Sequence, residues 1–203
     1  MDVVEALKLA TSEFERRLAQ VASEGWDSPS PCAEWTVRDV CDHLVGGNRF
    51  AVLVISGADW RAALTTVQDG DFAGDPRATF GDTGAQQIAA FQVAGALARV
   101  VSHPAGPMSG RDFARHRVLD LVVHGWDVAR SSGGDERIDP ELAEVALQVL
   151  SEAGPQQVAE VHSAADRRCG RPRGVRAAAA PGPRRAPSLI FRRSGSDSFP
   201  VVG

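Results

Sequence analysis

Apolar side chains recur every three or four residues in several long segments, and this helical period constrains the fold more than any other feature of the chain. In the first segment the apolar positions are Val3, Leu7, Ala10, Phe14, Leu18 and Val21. That spacing places them on one face of an α-helix, where they can pack against a core. No segment shows the apolar–polar alternation that is typical of strands. The sequence therefore predicts an all-α fold.

Start and stop signals divide the chain into five predicted helices. Thr36 and Asp39 resemble a capping box at the start of the second helix, and proline at position 140 suits the first turn of the fifth. The predicted helices span residues 3–23, 36–56, 82–101, 109–130 and 140–153. Residues 58–81 contain charged residues, glycine and Pro76, and are expected to form an irregular connection with one short helical piece. This long connection predicts a helical bundle with a crossover.

The last fifty residues differ in composition from the rest of the chain. Residues 167–196 contain nine arginines, four prolines and no acidic residue, and no helical or strand period persists there. We therefore divide the chain into a bundle, residues 1–153, and an Arg/Pro/Ala-rich tail, residues 154–203. A disordered tail is the favoured interpretation. A basic arm for anionic surfaces and translation of this segment out of frame stay open as alternatives.

Charge and hydropathy limit the partners of the chain. Its 203 residues carry a net charge of −4, which argues against nucleic acid as the main partner. No apolar run approaches the roughly 20 residues that a membrane-spanning helix needs. The N-terminus lacks the basic region and apolar stretch of a secretory signal, so we expect a cytoplasmic protein without membrane contact. The oligomeric state stays open, with a homodimer as one alternative.

Cysteines and paired glycines give weaker signals. Cys32, Cys41 and Cys169 form no CxxC pair, so no disulfide framework is expected. Cys32 and Cys41 are interpreted as buried or structural thiols, with reactive thiols as the alternative. Gly46 and Gly47 interrupt a helical pattern at a cost of about 1 kcal/mol each relative to alanine. Their presence suggests that another group comes close to this part of the helix.

Asp120 and His124 are four residues apart in the predicted helix 109–130. On a helix this spacing places both side chains on one face, one turn apart, where they can share a divalent metal. His43 lies in the apolar helix 36–56, and packing of the two helices would complete a three-ligand site with an open position. Two neutral imidazoles and one carboxylate leave a bound divalent ion with net positive charge, which favours an anionic ligand such as a thiolate.

The same helix face carries two more polar residues, His116 and Asp127, and Arg117 precedes Asp120 by three positions. Burial of these groups without partners would cost a few kcal/mol each, so something must compensate them. A metal is one compensator, and a hydrogen-bond network is the other. The spacing alone does not distinguish them.

Three segments of this chain resemble DinB-like proteins related to the N-terminal domain of mycothiol-dependent maleylpyruvate isomerase. They are WDSPSPCAEWTVRDV at 26–40, HLVGGN at 43–48 and HRVLDLVVHGWD at 116–127. The resemblance covers about residues 3–153 and implies a four-helix bundle. It also implies a divalent metal, commonly zinc or nickel, on His43, Asp120 and His124. Asp120 stands where the isomerase has a glutamate, and no segment resembles the isomerase's second domain.

The resemblance implies a function that uses low-molecular-weight thiols such as mycothiol. Our first hypothesis is a metal-dependent S-transferase or isomerase that joins the thiol to a small electrophile. His116, Arg117 and Asp127 are then the candidates for catalytic roles: His116 and Asp127 to orient ligands or move protons, Arg117 to offset Asp120 or steer an anionic substrate. The alternatives are a non-catalytic metal- or thiol-binding sensor or partner-binding module, and a purely structural bundle.

Overall fold

The computed structural model describes residues 1–68 and 74–152, and helices dominate this part of the chain. The α-helices are α1 (Val3–Leu18), α2 (Val37–Ile55), α3 (Trp60–Gln68), α4 (Pro76–Gln92), α5 (Gly110–Ser132) and α6 (Pro140–Glu152). Two 3-10 turns (Ser23–Asp27 and Ala96–Ala98) and two short antiparallel strands, β1 (Val100–Val101) and β2 (Met108–Ser109), complete the elements. The predicted tail, residues 154–203, lies outside the described residues.

Four of these helices form a bundle. α1 packs against α4 and α5, and α2 packs against the same two helices, so α1 lies diagonally opposite α2. The core between them is apolar and fully buried, and its largest side chains include Phe14, Leu44, Phe80, Phe91, Phe113 and Leu121. The predicted all-α fold, a four-helix bundle of DinB-like type, is confirmed.

The remaining two helices cover the outside of the bundle. α3 packs on α2 and is the short helical piece predicted within residues 58–81. α6 packs on α5 and α1. None of the helices in residues 1–68 and 74–152 combines the length and apolarity needed to cross a membrane.

The capping signals locate the start of the helix that carries His43. Oγ1 of Thr36 accepts a hydrogen bond from the Asp39 backbone N–H at 3.2 Å, and Oδ2 of Asp39 accepts one from the Thr36 N–H at 2.8 Å. These reciprocal contacts satisfy two backbone donors that the first helical turn leaves unpaired. The capping box that the sequence predicts is therefore present at α2.

The bounds of two helices were predicted wrongly. α4 begins at Pro76, inside the predicted irregular connection, because Asp75 caps it and proline is tolerated in a first helical turn. It ends at Gln92 instead of residue 101. Gly95 has a φ of 80°, a left-handed conformation that a helix cannot contain, and the chain then enters β1. α1 also ends early, at Leu18 instead of residue 23.

Candidate metal centre

The structure brings His43, Asp120 and His124 together between α2 and α5. Oδ1 of Asp120 lies 3.4 Å from Nε2 of His43 and 3.4 Å from Nε2 of His124. One nitrogen or oxygen atom from each residue lies within 4.8 Å of the other two. The three side chains keep 21%, 27% and 12% of their surface exposed, in that order, so a small molecule can reach them.

Arg117 holds the second oxygen of Asp120. Its Nη1 contacts Asp120 Oδ2, while Nε donates to Oε1 of Gln87 at 2.8 Å and Nη2 donates to Oδ1 of Asn48 at 3.1 Å. The side chain of Arg117 is only 7% exposed. This burial favours the first of its two predicted roles, the charge balance of Asp120, over the steering of an incoming substrate.

Asp127 fixes the ring of His124 from the opposite side. Its Oδ2 lies 2.9 Å from Nδ1 of His124 and accepts a hydrogen bond from Sγ of Cys32 at 3.2 Å. A carboxylate only accepts, so the contact assigns a ring proton to Nδ1 and leaves Nε2 as the ring nitrogen that faces Asp120. Asp127 thus orients a ring nitrogen in the way that metal-binding histidines require.

The loop before α2 places the indole ring of Trp35 against the imidazole rings of His43 and His124. The ring centroid of Trp35 lies 5.1 Å from that of His43 and 5.8 Å from that of His124, nearly parallel to the latter ring. The loop is held by two backbone hydrogen bonds. The backbone N–H of Trp35 donates to the Cys32 carbonyl at 3.1 Å, and the Trp35 carbonyl accepts from the backbone N–H of Ser30 at 2.8 Å. One turn of chain therefore delivers both Cys32 and Trp35 to the site.

The charges around Asp120 favour its ionised form. Burial opposes ionisation, but His43, Arg117 and His124 outweigh it and hold the pKa of Asp120 well below its usual range. Burial also lowers the pKa of His124, yet the hydrogen bond to Asp127 and the charges of Asp120 and Asp127 raise it overall. An ionised carboxylate oxygen beside two imidazole nitrogens is a donor set that zinc and similar ions prefer, so these residues fit the predicted metal.

His116 lies apart from this group although it shares the helix. Its Nδ1 lies 2.8 Å from the Asp112 carbonyl, and its ring packs 5.9 Å from that of His103. None of its contacts within the described residues reaches His43, Asp120 or His124. The polar residues predicted on one face of α5 thus divide into a group at the site and His116, one turn closer to the start of the helix.

Four neighbours of the site were not predicted from the sequence. Asn48 and Gln87 carry no local signal, because they meet Arg117 only through the packing of three helices. Cys32 and Trp35 lie within the segment 26–40 that carries the resemblance, but Cys32 was interpreted as a buried or structural thiol and Trp35 was given no role at the site. Their position in a segment shared with relatives was the one available signal.

Fold and site together define a class: helical bundles that bring two histidines and an aspartate from two helices to one partly exposed point. The sequence matches the mycothiol maleylpyruvate isomerase N-terminal domain family over residues 7–129. The chain belongs to this family, as its resemblance predicted.

Relatives and solved structures agree with this membership. "Uncharacterized protein Rv0738" of Mycobacterium tuberculosis is 31% identical over 163 residues, which cover 77% of this chain and 82% of that protein. "Uncharacterized protein Rv0036c" of the same organism is 25% identical over 146 residues, 63% of this chain and 55% of that protein. Two crystal structures of mycothiol-dependent maleylpyruvate isomerase superpose on this chain. One is of a point mutant and has a TM-score of 0.58, and the other is of the isomerase itself and has a TM-score of 0.55. They are 16% and 15% identical and cover 78% of this chain and 70% of theirs, a likeness of fold.

Proposed function

We propose that this protein binds zinc or nickel through His43, Asp120 and His124 and acts with a low-molecular-weight thiol such as mycothiol. The reaction would be an S-transfer to, or an isomerisation of, a small electrophile. The observation that carries the proposal is the position of Asp120 Oδ1, 3.4 Å from each of the two imidazole Nε2 atoms. Membership in a family named after a mycothiol-dependent isomerase supports the choice of thiol.

Each neighbouring residue has a task in this proposal. A bound divalent metal would lower the pKa of a thiol and so favour the nucleophilic thiolate. Asp127 keeps the proton of His124 on Nδ1, and Arg117 balances the charge of Asp120. Trp35 packs against both imidazole rings and so covers one side of the site. The predicted role of His116 finds no supporting contact at this site, and the proposal does not use it.

The test is turnover by the zinc-loaded full chain. The protein is incubated with mycothiol and a panel of small electrophiles that includes maleylpyruvate, and thiol consumption and product isomers are followed by mass spectrometry. We expect conversion of at least one electrophile, lost in Asp120→Asn. The matched control is Asp82→Asn on the exposed surface of α4, which should retain full activity.

Two alternatives correspond to other outcomes of this test. Zinc-loaded protein that binds mycothiol without converting any electrophile would be a sensor or partner-binding module. Protein that takes up no metal would be the structural bundle of the third hypothesis. One observation supports the structural bundle: Asp120 forms ion pairs with His43 and His124, so these side chains have partners without a metal.

A further inference from the structure

A buried polar cluster lies behind Asp120, on the side away from the two histidines. Its members Asn48, Thr83, Gln87 and Arg117 come from α2, α4 and α5, and each is at most 6% exposed. Such groups cost stability in an apolar bundle, since well-packed hydrophobic residues are often neutral or better in their place. Nε2 of Gln87 has no hydrogen-bond partner among the described residues, which adds a cost of about 1–3 kcal/mol.

The cluster holds the Arg117 guanidinium in one orientation. Its three nitrogens each have an acceptor on a different helix: Gln87 on α4, Asn48 on α2 and Asp120 on α5. Nδ2 of Asn48 donates to Oγ1 of Thr83 at 3.2 Å, which turns the Asn48 carbonyl oxygen toward the arginine. The guanidinium therefore has little freedom to leave Asp120.

Gly47 provides the space for this arrangement. A Cβ atom at Gly47 would lie 2.5 Å from Nη1, 2.7 Å from Nη2 and 2.8 Å from Cζ of Arg117. Any other residue would displace the guanidinium or the helix. The glycine that costs α2 helical stability thus allows α2 to approach the arginine closely.

We propose that Asn48 and Gln87 are positioning residues of the metal centre, which act through Arg117 to leave Asp120 a single oxygen for the metal. The inference rests on the proposed metal site. Arg117 engages Oδ2, and Oδ1 is the oxygen that lies 3.4 Å from the Nε2 atom of each imidazole, so a metal held by the histidines would bind the carboxylate through Oδ1.

The consequence is selectivity among metals. Zinc and cobalt accept four-coordinate sites built from imidazole and a single carboxylate oxygen. Manganese, magnesium and calcium prefer six or more ligands, mostly oxygen, and a carboxylate restricted to one oxygen supplies fewer of them. The arrangement around Arg117 therefore disfavours the second group of metals.

The experiment compares cobalt- and zinc-binding of the full chain with that of Gln87→Leu and Arg117→Met. Wild-type protein loaded with cobalt should show the intense visible absorption of a four-coordinate ion. In both variants we expect the bands to weaken severalfold, and the ratio of zinc to manganese affinity to fall about tenfold. Gln87→Glu keeps an oxygen acceptor for Arg117 Nε and should retain the wild-type spectrum.

A control separates positioning from general damage to the bundle. Arg17 on α1 is also buried, and it bonds Glu13 and the Arg137 carbonyl instead of the site. Arg17→Met should destabilise the fold but leave the cobalt spectrum unchanged. If Arg117→Met does not fold, Gln87→Leu decides alone.

Two results would overturn the inference, and they have different meanings. Wild-type spectra and affinity ratios in the folded variants would remove the positioning role and leave the proposed function intact. Failure of the wild-type protein to bind zinc or cobalt would remove the proposed function and this inference together.

Discussion

Nδ1 of His124 and Oδ2 of Asp127 lie 2.9 Å apart, and this contact determines which nitrogen of His124 is available to the site. The two residues are three positions apart on α5, so they face each other across one helical turn. Because the carboxylate accepts a hydrogen bond from the Nδ1–H group, Nε2 is the ring nitrogen that faces Asp120. The availability of a histidine ligand at this site therefore depends on Asp127, a buried residue that is not itself in the predicted ligand set.

Replacement of this carboxylate tests that dependence. Asp127→Asn keeps the shape of the side chain but removes its charge, and its amide group can turn a donor toward the ring. We expect zinc affinity to fall about 10–100-fold, as is usual when the partner of a metal-binding histidine is lost. The zinc affinity is measured by competition with a chromogenic chelator. The result would contradict our interpretation if Asp127→Asn bound zinc as tightly as Asp82→Asn, which changes an exposed aspartate of α4.

Gly47→Ala tests the close approach of α2 to Arg117. The new methyl group would overlap the guanidinium, so we expect a loss of about 1–2 kcal/mol in the free energy of unfolding, measured by urea denaturation. Gly81→Ala is the matched control in α4, where a Cβ would lie 3.4 Å from Glu15 Oε1 and helix propensity favours alanine. Equal or greater stability of Gly47→Ala would show that the arginine is not held as described.

The two described cysteines should differ in reactivity. Cys41 is fully buried on α2, and burial raises the pKa of its thiol to about 12. We expect iodoacetamide to leave Cys41 unmodified in the native protein at pH 8 and to modify it in urea, as read by peptide mass spectrometry. Cys32 is part-exposed and serves as the internal comparison. Equally rapid native modification of both thiols would contradict the burial of Cys41.

The start of a helix could be predicted from the sequence where a capping motif within a few residues marks it. The reciprocal contacts of Thr36 and Asp39 gave the start of α2, because a capping box is encoded within four residues. The start of α4 was missed although Asp75 and Pro76 carry the same type of signal as Asp139 and Pro140. Proline in a charged, glycine-rich stretch was interpreted as a breaker, whereas its position after a capping aspartate determined its effect.

The candidate site was predictable only as far as its spacing. The four-residue interval between Asp120 and His124 is a property of one helix, so the sequence shows it directly. The contact of His43 with them depends on the packing of α2 against α5, which the resemblance supplied. Asn48 and Gln87 reach Arg117 from two other helices, and no local pattern records such a meeting. Gly47 was noted as a sign of close approach, and the structure identifies the approaching group as Arg117.

Metal content of the purified full chain tests the central claim most directly. The protein is purified without chelators, dialysed against a limited excess of zinc and measured by inductively coupled plasma mass spectrometry. We predict one zinc per chain in the wild type, its loss in His43→Ala and His124→Ala, and its retention in His116→Ala, which removes a histidine of α5 outside the group. Absence of zinc from the wild-type protein, or retention of zinc in both His43→Ala and His124→Ala, would contradict the account.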